Sequence, residues 1–177
     1  RGPSYPVSGE YAWSTTGVTN ANTLQNSGSE NERVNENGDG LLNYNNDGVT
    51  GPLRNGFAAT ASSNRVQSGS GYYGVMELSG NVRERVVTIG NVQGRLFQGT
   101  HGDGILSDLS GYEGNATNSD WPGIDSLVYR GVTSADGSGY RGGSWFDGMS
   151  VCYTSDRSVV AYAVVSRDTK SGFRGVR

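Results

Sequence analysis

The stretch that decides the fold of this chain is Tyr72-Tyr-Gly-Val-Met-Glu-Leu-Ser-Gly-Asn-Val-Arg-Glu84. Its apolar positions continue past Glu84 into a β-branched run that includes Ile89. This pattern predicts a turn followed by a buried strand. We therefore expect a fixed turn-and-strand element at the centre of the chain.

Long loops are predicted on both sides of this element. Residues 1–70 are rich in Asn, Ser, Gly and Thr, with turn dipeptides such as Asn37-Gly38, and another loop is predicted over residues 99–139. We expect the first of these segments to be pinned to a core at a few apolar positions. The predicted pins are Tyr5, Tyr11, Trp13, Leu41, Leu42 and Phe57.

The C-terminal part of the chain alternates short apolar runs with turns. The runs cover residues 144–146, 150–154, 159–165 and 172–176. Their length and spacing are typical of short strands. We predict that they form a small antiparallel sheet.

Length and composition favour one folded but irregular domain. A chain of 177 residues is long enough to bury a substantial core. Glycine supplies 29 residues and hydrophobic types only 33%, which is too loop-rich for a helical bundle. The 10 tyrosines and 3 tryptophans are too many for a disordered chain. We therefore predict a single domain over residues 1–177.

Charge and cysteine content exclude several classes of partner and site. The net charge is −3 with both signs dispersed, so no basic stripe is present to attract nucleic acid or an anionic membrane. No apolar run is long enough to span a bilayer, so we expect no membrane span. Cys152 is the only cysteine, which excludes an intrachain disulfide and a zinc cluster built from cysteines.

Two neighbouring stretches, residues 35–40 and 43–48, carry oxygen-bearing side chains at alternate positions and end in Gly. This spacing allows a loop to wrap around a hard cation such as calcium. Neither stretch has the bidentate Glu of an EF-hand twelve positions in, since Asn46 and Arg54 occupy those places. Turns stabilised by their own Asn and Asp side chains have the same composition, so the residues alone leave both interpretations open.

The segment over residues 72–84, Arg141-Gly-Gly-Ser-Trp-Phe146 and the closing Gly172-Phe-Arg-Gly-Val-Arg177 together resemble the formylglycine-generating enzyme (sulfatase-modifying factor) family. The resemblance implies an α+β, C-type-lectin-like fold that is loop-rich, with low regular secondary structure and small antiparallel sheets. It also implies that Trp145 and Phe173 fill the core, and that Arg141 and Arg174 bind loop carbonyls.

Arg1-Gly-Pro resembles the middle of the family domain. The family's N-terminal strand and helices would then be missing, either because the chain is a fragment or because another polypeptide supplies them. The style of the motifs is similar to that of surface proteins from Bacteroidota-type bacteria, some related to gliding-motility lipoproteins. This likeness implies an extracellular or cell-surface location.

The resemblance also implies two calcium sites. In the first, calcium would be bound by the side-chain carboxylates of Glu77 and Glu84 and by the main-chain carbonyls of Gly80 and Val82. In the second, it would be bound by the side chains of Asn43 and Asp47 and by the main-chain carbonyls of Tyr44 and Val49. A structural role for Glu84, paired with Arg83 or Arg85 or bound to backbone amides, is the alternative.

Residues for the family's known chemistries are absent from the sequence. Oxidase members hold Cu(I) with two cysteines, and the resemblance puts Asp147 at the first position and Cys152 at the second. Iron-dependent members need three histidines, and this chain has only His101. We therefore predict that the protein is not an enzyme and that Cys152 is a buried apolar residue. An enzyme with a new site around His101, Asp103 and Asp147 is the alternative.

A ligand-binding surface is predicted in the C-terminal part. Lectin-fold proteins make ligand contacts with a corresponding surface, and its mixture of Tyr, Ser, Asp and Gly suits adaptable recognition. The candidate contact residues are Phe146, Asp147, Met149, Tyr153, Tyr162 and Arg167. A plain solvated sheet face has the same composition.

These features predict a non-catalytic, calcium-stabilised extracellular module that binds a protein or glycan at the cell surface. A subunit of a cell-surface filament or of a secretion or gliding assembly is a further alternative. Large apolar faces left exposed would favour that alternative.

Overall fold

The structure is a computed structural model that describes residues 7–172. Within these residues it is loop-rich, with little helix and a few small sheets. The strands are β1 (Thr19–Asn20), β2 (Leu24–Gln25), β3 (Arg33–Val34), β4 (Leu41–Leu42), β5 (Arg83–Val87), β6 (Ser138–Arg141) and β7 (Ser171–Gly172). The helix α1 covers Val92–Leu96, and 3-10 helices cover Val128–Arg130 and Met149–Cys152. No helix of this part of the chain is long and apolar enough to cross a membrane.

The sheets are small, as predicted, but their pairing is mixed. Strands β1 and β4 pair in parallel, whereas β2 and β3 pair antiparallel. The third sheet has the order β6-β5-β7, and β5 runs parallel to β7 with Arg83 opposite Ser171. The prediction of small antiparallel sheets is therefore correct for β2 with β3 and wrong for the two parallel pairs.

The chain forms two compact units. Unit 1 contains the residues up to Glu84, Arg141–Arg157 and the residues from Asp168 onward. Unit 2 contains Arg85–Tyr140 and Ser158–Arg167.

Unit 1 has two apolar clusters that flank strand β4. Successive side chains of a strand point to opposite faces, so Leu41 and Leu42 enter different clusters. The first cluster comprises Ala21, Val34, Leu41, Val49, Leu53, Phe57 and Ala58. The second comprises Tyr11, Trp13, Leu42 and Cys152. The predicted pins among the described residues are thus confirmed as buried, while Tyr5 lies outside those residues.

The second cluster is built on stacked aromatic rings. Tyr11 stacks on Trp13 with ring centroids 4.8 Å apart, and Tyr153 meets the Tyr11 ring edge-on at 5.2 Å. The Trp13 indole N–H donates to the Gly17 carbonyl at 3.0 Å, so its polar end is satisfied inside the core. These contacts fix the first loop of the chain in the second cluster.

Asn81 joins its own turn to three other segments of unit 1. Its side-chain oxygen accepts from the Leu53 amide at 2.7 Å, and its side-chain nitrogen donates to the Leu53 carbonyl at 2.9 Å. Its backbone N–H donates to Asn43 O at 2.9 Å, and its carbonyl accepts from Trp145 N at 2.9 Å. Its φ of 64° lies in the left-handed region, which Asn tolerates better than most residues. Hydrogen bonds to three other segments therefore hold the turn predicted within residues 72–84.

Three of the four runs predicted as C-terminal strands take other conformations. Residues 144–146 enter a turn, Met149–Cys152 form a 3-10 helix, and residues 159–165 contain a turn and irregular chain. Gly142 and Gly143 have φ values of 86° and 70°, so the chain leaves the extended conformation directly after β6. Of the fourth run, Gly172 lies in β7.

The expected structural roles of the C-terminal motifs are confirmed where they can be described. Trp145 is buried, and Arg141 donates to the Thr154 carbonyl at 2.6 Å. Phe173 and Arg174 lie outside the described residues.

Unit 2 is held by polar contacts around Arg85 and by close backbone packing. Arg85 stacks over the Tyr140 ring at 4.4 Å and donates to Ser138 Oγ at 2.8 Å and to Val164 O at 2.5 Å. Gly94 on α1 packs so tightly that a Cβ there would lie 2.5 Å from the Gly137 carbonyl oxygen. The Arg85 contacts and the close approach of Gly94 to Gly137 thus join distant segments of unit 2.

Replacing Asn81 tests its connecting role. We expect Asn81→Gly to lower the free energy of unfolding by about 2–4 kcal/mol, because the buried Leu53 amide and carbonyl lose their partners. Asn81→Ala should cost about 1 kcal/mol more, since Ala is strained at positive φ. Urea unfolding measures both, with the exposed Asn31→Ala expected within about 0.5 kcal/mol of the wild type. An Asn81→Gly protein as stable as the wild type would contradict the role.

Candidate functional site

The first predicted calcium segment is held by internal hydrogen bonds. Glu77 is 6% exposed and has a left-handed backbone, with φ of 63°. One of its carboxylate oxygens accepts from the Gly56 amide at 3.1 Å, and the other accepts from Asn81 Nδ2 at 3.4 Å. Each carboxylate oxygen has a second lone pair, so an ion bound here would share Glu77 with these donors.

The remaining predicted ligands of this segment follow directly in the chain. Gly80 is buried and its amide donates to the Gly142 carbonyl at 2.7 Å. Val82 and Glu84 are half-buried, and the Glu84 carboxylate lies against Gly142. A side chain at Gly142 would collide with that carboxylate, so the glycine makes room for it.

The second predicted calcium segment is a tight loop after β4. Asn45 and Asn46 both have left-handed backbones, with φ of 65° and 53°. Their amides donate to the carbonyls of Asp147 and Trp145, each at 2.8 Å. Left-handed Asn residues and backbone hydrogen bonds therefore fix this loop, as expected if its sequence encodes a turn.

The predicted ligands of this loop have different surroundings. Asn43 is 1% exposed, and its side-chain nitrogen donates to the Gly51 carbonyl at 2.8 Å. Asp47 is exposed, with one oxygen bound by Asn20 Nδ2 at 2.5 Å and the other by Asn45 Nδ2 at 2.8 Å. Burial and the nearby Asp47 carboxylate raise the pKa of Tyr44, whose ring packs against the second cluster. Val49 is buried in the first cluster.

Two buried oxygens in this region have no hydrogen-bond partner. They are Asn43 Oδ1 and Asn20 Oδ1. A buried acceptor without a donor is costly, and a bound cation would satisfy it. Asn20 was missed by the sequence interpretation, because it lies 23 residues before Asn43 and only the parallel pairing of β1 with β4 brings Asn20 opposite Leu42.

The two predicted calcium segments meet in the structure. The bond from Asn81 N–H to Asn43 O joins them, and a Cβ at Gly80 would lie 2.7 Å from the same carbonyl oxygen. Among the described residues no group of three or more His, Cys, Asp or Glu could hold a metal ion. A cation in this region would therefore need amide and carbonyl oxygens besides a carboxylate, and calcium accepts such oxygen ligands more readily than transition metals do.

Asp147 forms an ion pair with Arg83. Its carboxylate receives Arg83 Nε at 2.8 Å and Arg83 Nη2, and it also accepts from Ser144 Oγ at 2.7 Å. Both side chains are largely buried, at 10% and 14% exposure. Burial favours the neutral acid, but the bonds from Arg83 and Ser144 outweigh it and lower the pKa of Asp147. This carboxylate therefore joins β5 to the turn after β6.

Cys152 is fully enclosed. Its side chain is 0% exposed and lies in the second cluster, where a Cβ at Gly143 would be 2.6 Å from its sulfur. Burial and the neighbouring Asp147 carboxylate raise the pKa of the Cys152 thiol to about 12. The thiol is thus neutral at physiological pH, whereas a copper ligand would be a thiolate.

The candidates for a new catalytic site have separate environments. His101 and Asp103 are exposed in unit 2, and one oxygen of Asp103 accepts from the Ile105 amide at 2.9 Å. Asp147 belongs to unit 1, where Arg83 binds it.

The predicted ligand-binding residues divide between the units. Phe146 and Met149 are exposed in unit 1, and Lys170 Nζ lies 4.6 Å from the Phe146 ring centre. Tyr153 in the same unit is half-buried against Tyr11. Tyr162 and Arg167 are exposed in unit 2.

Comparisons with protein-family models, with curated proteins and with solved structures found no match to this chain.

The ion pair predicts a defined pH dependence. Asp147→Asn should lower the free energy of unfolding at pH 7 by about 2–4 kcal/mol, because Arg83 loses its buried counter-charge. The folded pKa of Asp147 lies below the ordinary value of about 3.9, so its contribution is complete above that value and is lost as pH falls through the folded pKa. Urea unfolding between pH 2 and 7 should show the difference between the two proteins shrinking as pH falls below about 3.9. A pH-independent difference would contradict the pairing, and Asp39→Asn provides an exposed control.

Burial of Cys152 predicts an unreactive thiol. Native protein should show no fast reaction with dithionitrobenzoate, since attack needs both access and a thiolate. Ser150→Cys, two residues away and exposed, should add one fast-reacting thiol. Rapid labelling of the wild type would disprove the enclosed site.

Proposed function

We propose that this chain is a non-catalytic, calcium-stabilised binding module with a C-type-lectin-like domain of the formylglycine-generating family, acting outside the cell. The observation that carries the proposal is the buried Asn43 Oδ1, an acceptor with no hydrogen-bond partner inside the loop predicted to bind calcium. Its predicted co-ligands, the Asp47 carboxylate and the carbonyls of Tyr44 and Val49, belong to the same loop. Asn20 Oδ1 is an additional ligand candidate.

Calcium would supply structure rather than chemistry in this module. An ion at the loop after β4 would satisfy the buried Asn43 oxygen and bind a loop already joined to Asn81 and to Trp145. Calcium accepts six to eight oxygen ligands of mixed type, which suits a site with one carboxylate and several neutral oxygens. Outside cells the ion is abundant enough to fill a weak site of this kind.

The two groups at the positions of the copper cysteines support a non-catalytic role. Asp147 is bound by Arg83 and Ser144, and Cys152 fills the aromatic cluster as a neutral thiol. Both side chains serve the packing of unit 1. The exposed Phe146 and Met149 beside them are available for recognition of a protein or glycan.

Calcium dependence tests the proposal. Millimolar calcium should raise the melting temperature of the wild type above its value in chelator, because an ion that binds only the folded state stabilises it by about 2.7 kcal/mol at 100 times Kd. Asp47→Asn should reduce this shift, since it removes the carboxylate of the site. Glu30→Gln, which neutralises an exposed acid outside both Asn-rich stretches, should leave the shift unchanged.

Two results would count against the proposal. Equal melting temperatures in calcium and chelator would mean that the Asn-rich loops are turns only. Oxygen-dependent turnover of a cysteine-containing peptide, or stoichiometric Cu(I) binding, would show that the chain is an enzyme.

A further inference from the structure

A cavity in unit 1 is lined by none of the eight residues predicted as ligands of the two calcium sites. Its volume is about 390 Å³, within the range of about 300–1,000 Å³ typical of small-ligand sites. One wall is formed by residues 33–38, from β3 into the turn before β4, and the other by residues 57–67. Both walls come from the long N-terminal loops.

The floor of the cavity is the first apolar cluster. Val34, Leu41, Phe57 and Ala58 belong to that cluster and also line the cavity. A ligand that entered would therefore contact carbon atoms at its base. Such a floor suits the C–H face of a ring and gives no specific site for a charge.

The walls are polar, and most of their side chains are uncharged. Amide and hydroxyl groups are supplied by Asn35, Asn37, Thr60, Ser62, Ser63 and Gln67. They offer both donors and acceptors, as a ligand with several hydroxyl groups requires. An apolar ligand would displace water from these side chains without replacing its hydrogen bonds, which disfavours it.

The two charged side chains of the lining have opposite sign. Arg33 and Glu36 come from the same wall. Burial raises the pKa of Glu36, but bonds from backbone amides, including Thr23 N at 3.3 Å, outweigh burial and lower it overall. Glu36 is therefore ionised at neutral pH and balances Arg33, so the lining has no net charge to attract an anion or a cation.

The second wall is preorganised by its own hydrogen bonds. Thr60 N donates to Ser63 Oγ at 2.9 Å while Ser63 N donates to Thr60 Oγ1 at 3.1 Å. Asn64 and Gln67 exchange a similar pair, each side-chain oxygen accepting from the other residue's amide at 3.0 Å. A wall that is fixed before binding loses little entropy when a ligand arrives.

We infer that this cavity binds a neutral saccharide, with its ring on the Phe57 floor and its hydroxyl groups against the amide and hydroxyl side chains of the walls. The inference rests on the proposed role as a binding module and identifies a ligand class and a position for it. It does not depend on the proposed calcium site, because the ligands proposed for that site do not line the cavity. They are Asn43, Tyr44, Asp47 and Val49.

Binding can be mapped directly on the isotopically labelled protein. Titration with maltose, cellobiose, lactose and N,N′-diacetylchitobiose, in calcium and in chelator, should shift amide resonances of residues 33–38 and 60–67 for at least one sugar. Sialyllactose and free amino acids serve as charged comparators. The inference predicts that a neutral sugar binds more tightly than they do.

A substitution at the rim provides the matched test. Ser62→Trp should weaken binding of the shifting sugar by about tenfold or more, which corresponds to about 1.4 kcal/mol, because the indole would fill the mouth of the cavity. Ala61→Trp adds the same side chain at the adjacent exposed position, which does not line the cavity, and should bind as the wild type does.

Three outcomes would overturn the inference: no binding by any neutral sugar, tighter binding of the charged comparators, or equal binding by both tryptophan variants. None of these outcomes would remove calcium-dependent stability, so failure of the saccharide site can be told apart from failure of the proposed function. Conversely, if a sugar binds but calcium does not change the melting temperature, the saccharide site is retained and the calcium role is rejected.

Discussion

The left-handed turn at Asn81 is the constraint on which unit 1 depends. Its side chain binds both backbone polar groups of Leu53, much as a neighbouring strand would. Its backbone joins Asn43 and Trp145, so the N-terminal loops and the turn after β6 meet at one residue. In a unit whose strands β1 to β4 are two residues long, such side-chain and turn bonds replace the ladders of larger sheets.

The hydrogen bonds that hold these loops also explain where the candidate sites lie. The loop after β4 is fixed by hydrogen bonds from its backbone amides to the carbonyls of Trp145 and Asp147. These bonds do not use the buried Asn43 side-chain oxygen, which is available for a cation. The cavity forms where two other loops are rigid but separated above the apolar cluster. Asp147 and Cys152 instead serve the packing of the unit, through an ion pair and an aromatic cluster. Sites and scaffold are thus built from the same polar loops.

Sequence reasoning predicted the loop-rich character, the buried positions Tyr11, Trp13 and Phe57, and the burial of Cys152. These follow from composition and from isolated apolar residues in polar surroundings. It failed for residues 150–154 and 159–165, where apolar alternation suggested strands but turns and a 3-10 helix form. Short runs carry too little periodicity to distinguish a strand from a turn or a 3-10 helix. The contribution of Asn20 and the cavity could not be predicted, because both depend on pairing between distant segments.

The central claim is that a calcium ion satisfies the buried oxygen of Asn43. A crystal structure determined from protein in calcium tests it most directly. We predict an ion about 2.3–2.6 Å from Asn43 Oδ1, with the Asp47 carboxylate also coordinated. If Asn43 Oδ1 instead accepts a hydrogen bond from a protein group or a water, with no ion bound to the loop, the claim is contradicted.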